Sequence, residues 1–278
     1  MADAHAAEDA LVVTQETRSY VRLMDDLLHG VEPAEQELRR LCALRGIRPG
    51  APLAIVVAKP LRVNGGHVDR EVTLRSLARL LEQVLSPTIF GALIDVKDSQ
   101  VTAIVCSDRD TSRSLVPALR RAGFAKCATN GQSAGVGISM DVAEVARLPD
   151  ALEEAQIAIE FATAKQPLMQ FSDIHLPDLL VRRADQIAVR LIPAWARQLD
   201  SAKDRRSRDL IRTMRVFADC NFNVKHTARQ LGVHTNTVYF RLNRMKKISS
   251  TDPRTYAGAS AILTALRLLA IHTHAGES

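Results

Sequence analysis

The chain has 278 residues, a net charge of +6 and an apolar content of 46%, which together are typical of a globular protein with two domains. No apolar run approaches the ~20 residues of a membrane-spanning helix, and the first ten residues lack the basic and apolar regions of a signal peptide. The cysteines are widely separated and form no Cys-x-x-Cys pair, which predicts neither a zinc site nor a disulfide framework: Cys42, Cys106, Cys127 and Cys220. We therefore expect reduced thiols, a cytoplasmic location and no association with a membrane.

Two amphipathic helices are predicted within residues 1–48. The first has its apolar residues at helical spacing: Tyr20, Val21, Met24, Leu27 and Leu28. The second begins near Pro33 and carries a stripe of leucines: Leu38, Leu41 and Leu44. These stripes either cover the domain that follows or form a dimerising or signal-transmitting helix pair.

Residues 49–176 alternate between strand and helix patterns, which predicts a mixed sheet packed by helices. The predicted strands are 53–58, 89–96, 100–106, 135–139 and 169–171. The predicted helices are 69–85, 112–122 and 148–163. Helices are also predicted within a linker over residues 177–205, where Pro193 should begin or interrupt one of them, and a charged connector is predicted at 203–208.

The C-terminal region, residues 206–278, is predicted to be an all-α domain that contains a helix-turn-helix. Its first helix, 206–218, should bury Leu210, Met214 and Phe217 and expose Arg208, Arg212 and Arg215. Val224, Ala228 and Leu231 then predict a second helix, which ends at a turn formed by Gly232 and Val233. The apolar stripe resumes at Val238, Leu242 and Met245 on a helix from about 235 to 248.

The polar side of this last helix has the chemistry of a DNA-reading surface. With Val238 in the core, a turn of about 100° per residue places Asn236, Asn243 and Lys247 on the outer side. Asparagine pairs bidentately with adenine, and lysine or arginine binds phosphate or guanine. Residues 203–250 hold twelve Lys or Arg against three Asp, a charge of +9, which leaves −3 for the remainder of the chain. This local basicity favours contact with phosphates over a merely solvated surface.

The segment from about Arg206 to Ile271 resembles the helix-turn-helix of the PucR/CdaR transcription regulators, and also the related Fis-type fold. The family pattern Val-His-Arg-Asn-Thr is matched by Val233, His234, Asn236 and Thr237, but Thr235 stands where an arginine is frequent. Phe240 likewise replaces a common tyrosine, and its partner could be a thymine methyl group, a dimer contact or the final helix. The operator sequence of relatives should therefore not be transferred to this chain.

The middle region resembles the GGDEF-like domain of the same family, which is related in fold to diguanylate cyclases. The resemblance rests on the order of elements, the GVGIS strand and the helix ALEEAQIAIEFATA. A cyclase would need Gly-Gly-Asp-Glu-Phe in a turn that here reads Lys-Asp-Ser-Gln-Val, residues 97–101. The glycine pair is absent, and a lysine replaces what should be metal ligands, so we expect no enzyme activity and no cofactor. The acidic residues nearby are expected to be exposed turn residues: Asp95, Asp98, Asp108 and Asp110.

The predicted fold class is thus α/β, a mixed-sheet GGDEF-like domain, plus an all-α helix-turn-helix domain. The predicted function is sequence-specific binding of double-stranded DNA by a homodimer or larger even oligomer. The alternative is a receptor that binds a nucleotide or another small molecule in the cyclase-like domain. Only about fifty residues precede that domain, which is too few for a usual sensor. We therefore expect either that the chain is truncated or that the signal, from a small-molecule effector or a partner sensor protein, enters through the GGDEF-like domain or the N-terminal helices. The predicted DNA-binding residues are His234, Thr235, Asn236, Thr237, Tyr239, Phe240, Arg241, Asn243, Arg244, Lys246 and Lys247.

Overall fold

The computed structural model describes residues 20–36, 39–40, 45–48, 50–61, 70–85, 90–106, 110–122, 134–202 and 204–274. Some residues used in the sequence predictions lie outside these ranges: Leu38, Leu41, Cys42, Leu44, Asp108, Cys127 and Lys203. The chain divides into two compact units, Met1–Ile174 and His175–Ser278. The predicted fold class is confirmed, because a mixed sheet with helices forms the first unit and helices alone form the second.

The sheet of the first unit is formed by strands β1 to β5: Leu53–Pro60, Gly91–Lys97, Gln100–Cys106, Ala134–Ile138 and Leu168–Gln170. The strand order is β2-β3-β1-β4-β5, and every pair is antiparallel except β4 with β5. β1 is central, and the first six of its residues are buried because both faces of the sheet are covered. This explains why the segment LAIVVA is continuously apolar rather than alternating.

Helices cover the two faces of the sheet. We number them α1 (residues 20–28), α2 (Arg70–Val84), α3 (Thr111–Arg121) and α4 (Leu148–Glu160). The side chains of α2 and α3 pack with Ala54, Val56 and Ala58 on one face of β1. Those of α1 and α4 pack with Leu53, Ile55 and Val57 on the other face. The period-2 alternation of a strand thus divides one apolar run between two cores.

The helix α1 is part of this packed unit. Leu23, Met24 and Leu27 are almost fully buried against the sheet. The hydroxyl group of Tyr20 donates to the carbonyl oxygen of Ile94 at 2.9 Å and accepts from the amide of Ile94 at 2.7 Å. Because β2 is an edge strand, this hydroxyl satisfies backbone groups at the open edge. Of the two roles considered for the first helix, covering the following domain is the one that the structure shows.

The second unit is formed by α5 (Leu176–Arg182), α6 (Gln186–Arg190), α7 (Ala194–Ser201), α8 (Arg205–Asp219), α9 (Val224–Leu231), α10 (Thr235–Ser249) and α11 (Tyr256–His274). Pro193 stands at the N-cap of α7, as expected for a residue that begins a helix. Ile192 and Ala196 pack against α11 at Ala265 and Leu269, so this part of the predicted linker contributes to the core of the unit. None of the described helices is long and apolar enough to cross a membrane.

Candidate nucleic-acid interface

The helices α8, α9 and α10 pack around one small core, which fixes the orientation of α10. Phe217 and Met214 of α8 are buried together with Val238, Leu242 and Met245 of α10. Ala228 of α9 is also buried there, as expected for a small residue at a close approach of two helices. Ile262 and Leu266 of α11 close the core from the other side. One side of α10 is therefore anchored, and its opposite side faces away from the core.

Side chains cap the starts of α9 and α10, and the glycine of the predicted turn ends α9. The side chain of Asn223 accepts hydrogen bonds from the amides of Lys225 and His226. Gly232 ends α9 with φ of +65°, the left-handed conformation that favours glycine. His234 precedes α10, and its Nδ1 accepts from the amide of Asn236 at 3.2 Å. In that arrangement Nε2 of His234 carries the proton and is a donor at the start of α10.

Most of the predicted DNA-binding residues lie on the free side of α10 or at its start. The exposed ones are His234, Asn236, Tyr239, Phe240, Asn243, Arg244, Lys246 and Lys247, whereas Thr235 and Thr237 are half-buried. Phe240 is 65% exposed and Tyr239 46% exposed. Such exposure means that Phe240 is not buried against the final helix, one of the three partners considered for it.

Arg241 differs from the rest of the predicted set, because it is turned towards α8. Its guanidinium group pairs with the carboxylate of Asp209 at 2.6 Å and donates to the Thr213 hydroxyl group at 3.2 Å. Only 19% of the Arg241 side chain is exposed. The contact joins the first helix of the domain to α10, so we assign Arg241 a structural role and leave it out of the proposed DNA-contacting set.

The connector between α10 and α11 contributes contacts that the sequence patterns did not indicate. Lys246 donates to Asp252 at 2.7 Å, and Arg254 donates to the side-chain oxygen of Asn243 at 3.0 Å. Hydrogen bonds from Lys246 and then from the Arg254 amide hold the pKa of Asp252 well below its usual range. Lys246 is therefore paired within the domain, whereas no ion pair of Lys247 is found in the part of the chain that the structure describes.

A row of exposed arginines follows the outer side of α8. Its members are spaced at three and four residues and therefore lie on one face: Arg205, Arg208, Arg212 and Arg215. The helix begins at Arg205, one residue earlier than predicted, because the side chain of Asp204 caps it by accepting from the Ser207 amide at 2.6 Å. Hydrogen bonds with Ser207 lower the pKa of Asp204 below its ordinary value. The row gives α8 a positively charged side suited to a phosphate backbone.

The position of the cyclase signature is occupied by a tight turn. Asp98 and Ser99 both have positive φ, of 51° and 64°, and join β2 to β3 as a two-residue hairpin. Lys97, just before the turn, pairs with Asp25 of α1 at 2.9 Å, which raises the pKa of Lys97 and lowers that of Asp25. Within the described ranges, no group of three or more His, Cys, Asp or Glu residues is placed to hold a metal ion.

The fold and the helix-turn-helix define the class of the protein as a transcription regulator with an α/β domain. Residues 210–268 match the family model of the PucR C-terminal helix-turn-helix domain, and residues 29–161 match that of the GGDEF-like domain. The chain therefore pairs a GGDEF-like domain with a PucR-type helix-turn-helix, and the resemblance to the PucR/CdaR transcription regulators is confirmed for both domains.

The comparisons with individual proteins are less informative. Among solved structures, the regulator of polyketide synthase expression from Bifidobacterium adolescentis is similar to this chain at 18% identity. The match covers 88% of this chain and 89% of that one, with a TM-score of 0.34. No curated protein matches the chain.

Proposed function

We propose that this regulator binds double-stranded DNA with α10 in the major groove, and that it does so as a homodimer or larger even oligomer in the cytoplasm. The observation that carries the proposal is the free side of α10, where polar and basic side chains are exposed while Val238, Leu242 and Met245 anchor the opposite side. An α-helix presented in this way fits a major groove, and the start of the second helix of a helix-turn-helix reaches base edges.

The proposed contacts divide into those that read bases and those that bind phosphate. Asn236 is the second residue of α10, and among the described residues no hydrogen bond engages its side-chain amide. It is therefore the residue we assign to bidentate pairing with adenine. Tyr239 and Phe240 offer a hydroxyl group and an apolar ring to neighbouring bases. Lys247, on the same side, is assigned to phosphate.

The arginines of α8 are proposed to add backbone contacts. In helix-turn-helix proteins the helix that enters the groove is the second one, here α10, so we assign α8, which packs beside it, to phosphates rather than bases. The row Arg205, Arg208, Arg212 and Arg215 is exposed along one face of that helix. These contacts would supply sequence-independent affinity and make binding dependent on salt.

We further propose that the GGDEF-like domain is not a cyclase. The hairpin at Asp98 and Ser99 lacks the glycine pair of the signature, and Lys97 is paired with Asp25. Magnesium bound to phosphates requires several carboxylate or carbonyl oxygens, and this turn does not assemble them. Incubation of the purified chain with GTP and magnesium should yield no cyclic dinucleotide, and turnover of GTP would contradict this part of the proposal.

The DNA-binding proposal is tested by selecting bound duplexes from a random pool with the purified full chain at one stated salt concentration. We expect enrichment of a two-fold-related sequence with half-sites about one helical turn apart, or a multiple of that distance. Asn236→Ala should relax the preference at one position of each half-site, whereas substitution of Lys165, an exposed lysine in the first unit, by alanine should leave the selected sequence unchanged. A pool that remains random with the wild type would refute the proposal.

A further inference from the structure

The side-chain amide of Asn243 on the free side of α10 is held by a residue outside the helix. Nη2 of Arg254 donates to Oδ1 of Asn243 at 3.0 Å. Arg254 is itself held by Asp252, whose carboxylate accepts from the backbone amide and Nε of Arg254 at 3.0 and 3.2 Å. A chain of contacts therefore runs from the connector to the surface proposed to face DNA.

The connector that carries Asp252 and Arg254 is itself fixed by local packing. The hydroxyl group of Ser249 donates to the carbonyl oxygen of Met245 at 2.8 Å and also lies 3.1 Å from that of Thr251, and the hydroxyl group of Thr255 donates to the carbonyl oxygen of Asp252. A Cβ atom at Gly258 would overlap this same carbonyl oxygen, so the connector lies directly against the start of α11. The position of Arg254 is thus a property of the folded domain.

The contact decides which atoms Asn243 presents. A guanidinium group only donates hydrogen bonds, so the atom of Asn243 that faces Arg254 must be the carbonyl oxygen, and the amino group points elsewhere. Bidentate pairing with adenine requires both a donor and an acceptor on the same amide. Arg254 occupies one of the two lone pairs of this oxygen, so Asn243 presents its amino group and the remaining lone pair in an orientation that Arg254 fixes.

We infer that Arg254 is a positioning residue for base specificity, because it holds the side-chain amide of Asn243 in one orientation. The inference rests on the proposed function and assigns Asn243 to the reading of one position of the operator. It also separates the two asparagines of α10, since among the described residues no hydrogen bond fixes the side-chain amide of Asn236.

The first test uses the free protein and does not depend on DNA. The side-chain amide resonances of Asn243 are assigned by their loss in Asn243→Ala and are then followed in Arg254→Met and Asp252→Asn. We expect both substitutions to shift these resonances. The matched control is Arg267→Met, because Arg267 is an exposed arginine of α11 that pairs with Asp178 instead. Resonances that move no more in Arg254→Met than in this control would overturn the inference.

The second test compares base preferences on selected duplexes. Arg254→Met should change the base preference at a single position of each half-site by about fivefold or more, the size expected for one specific base contact. Arg254→Lys is the second variant, to be used if the methionine variant does not fold. It keeps the positive charge but lacks the guanidinium group, and it should produce the same change in base preference.

Two other outcomes are informative. Equal weakening on all duplexes, with the base profile unchanged, would make Arg254 a phosphate contact and overturn the positioning role. If the wild type selected no sequence at all, the proposed function would fail, and with it the role of Arg254 in specificity. The amide resonances would still show separately whether Arg254 holds Asn243.

Discussion

The salt dependence of binding gives a quantitative prediction for Lys247. Each lysine that neutralises a phosphate releases counterions and contributes about 0.9 to the slope of the logarithm of affinity against the logarithm of salt concentration. Lys247 is exposed on the free side of α10, so Lys247→Ala should reduce this slope by about 0.9 for one bound protomer and about 1.8 for a dimer. Between about 50 and 200 mM salt, the ratio of wild-type to variant affinity should then fall about 3.5-fold for one bound protomer and about 12-fold for a dimer.

The assay is fluorescence anisotropy of a selected duplex and of a scrambled duplex, titrated at four or more salt concentrations. The loss should be the same on both duplexes, because a phosphate contact carries no sequence information. Lys165→Ala removes an equally exposed lysine from the first unit, and its slope should equal that of the wild type. An unchanged slope in Lys247→Ala, or a loss confined to the selected duplex, would refute the assignment of Lys247 to phosphate.

Three further predictions concern other parts of the molecule. Asn236→Ala should weaken binding to the selected duplex by about 1–3 kcal/mol and leave binding to the scrambled duplex unchanged; equal losses in anisotropy titrations would contradict the readout role. Tyr20→Phe should lower the free energy of unfolding by about 1–3 kcal/mol in urea titrations, because backbone groups lose a hydrogen-bonding partner. Burial raises the pKa of Tyr20, so its contribution to stability is complete below the unfolded pKa of about 10 and is lost as the pH rises through the folded pKa. Tyr20→Phe should not show this loss of stability at alkaline pH. An equal loss in the variant and the wild type would argue against the contribution of Tyr20. Asp209→Ala should cost about 1–3 kcal/mol by leaving the largely buried Arg241 without its carboxylate, whereas Asp150→Ala, at a more exposed ion pair, should cost less than about 1 kcal/mol in the same titrations.

The sequence predicted the elements well because their signals are local. Runs such as LAIVVA and the stripe of Val238, Leu242 and Met245 depend only on period and burial, and the structure places both where they were expected. Boundaries were less accurate. The helix predicted over 148–163 ends at Glu160, since the amide of Thr163 bonds instead to the carbonyl oxygen of Gln166 in the following turn.

The parts of the site that could not be predicted depend on residues distant in sequence. Arg241 resembles its basic neighbours on α10, and its partner Asp209 lies 32 residues earlier. The position of Asp209 among the arginines of α8 was the only available signal. The bond between Arg254 and Asn243 requires the connector to fold back on α10, and no periodic pattern reports such a turn. The packing of α1 through Tyr20 could not be predicted for the same reason, because its hydrogen bond to Ile94 joins residues 74 apart in sequence.

The central claim is that the free side of α10 reads base edges. The most direct measurement is a crosslinking experiment in which a photoreactive amino acid at position 236 is exposed to the selected duplex, with position 165 as the control. We expect crosslinks from position 236 to bases within each half-site and none from position 165. Crosslinks confined to the sugar-phosphate backbone, or equal yields from the two positions, would contradict the claim.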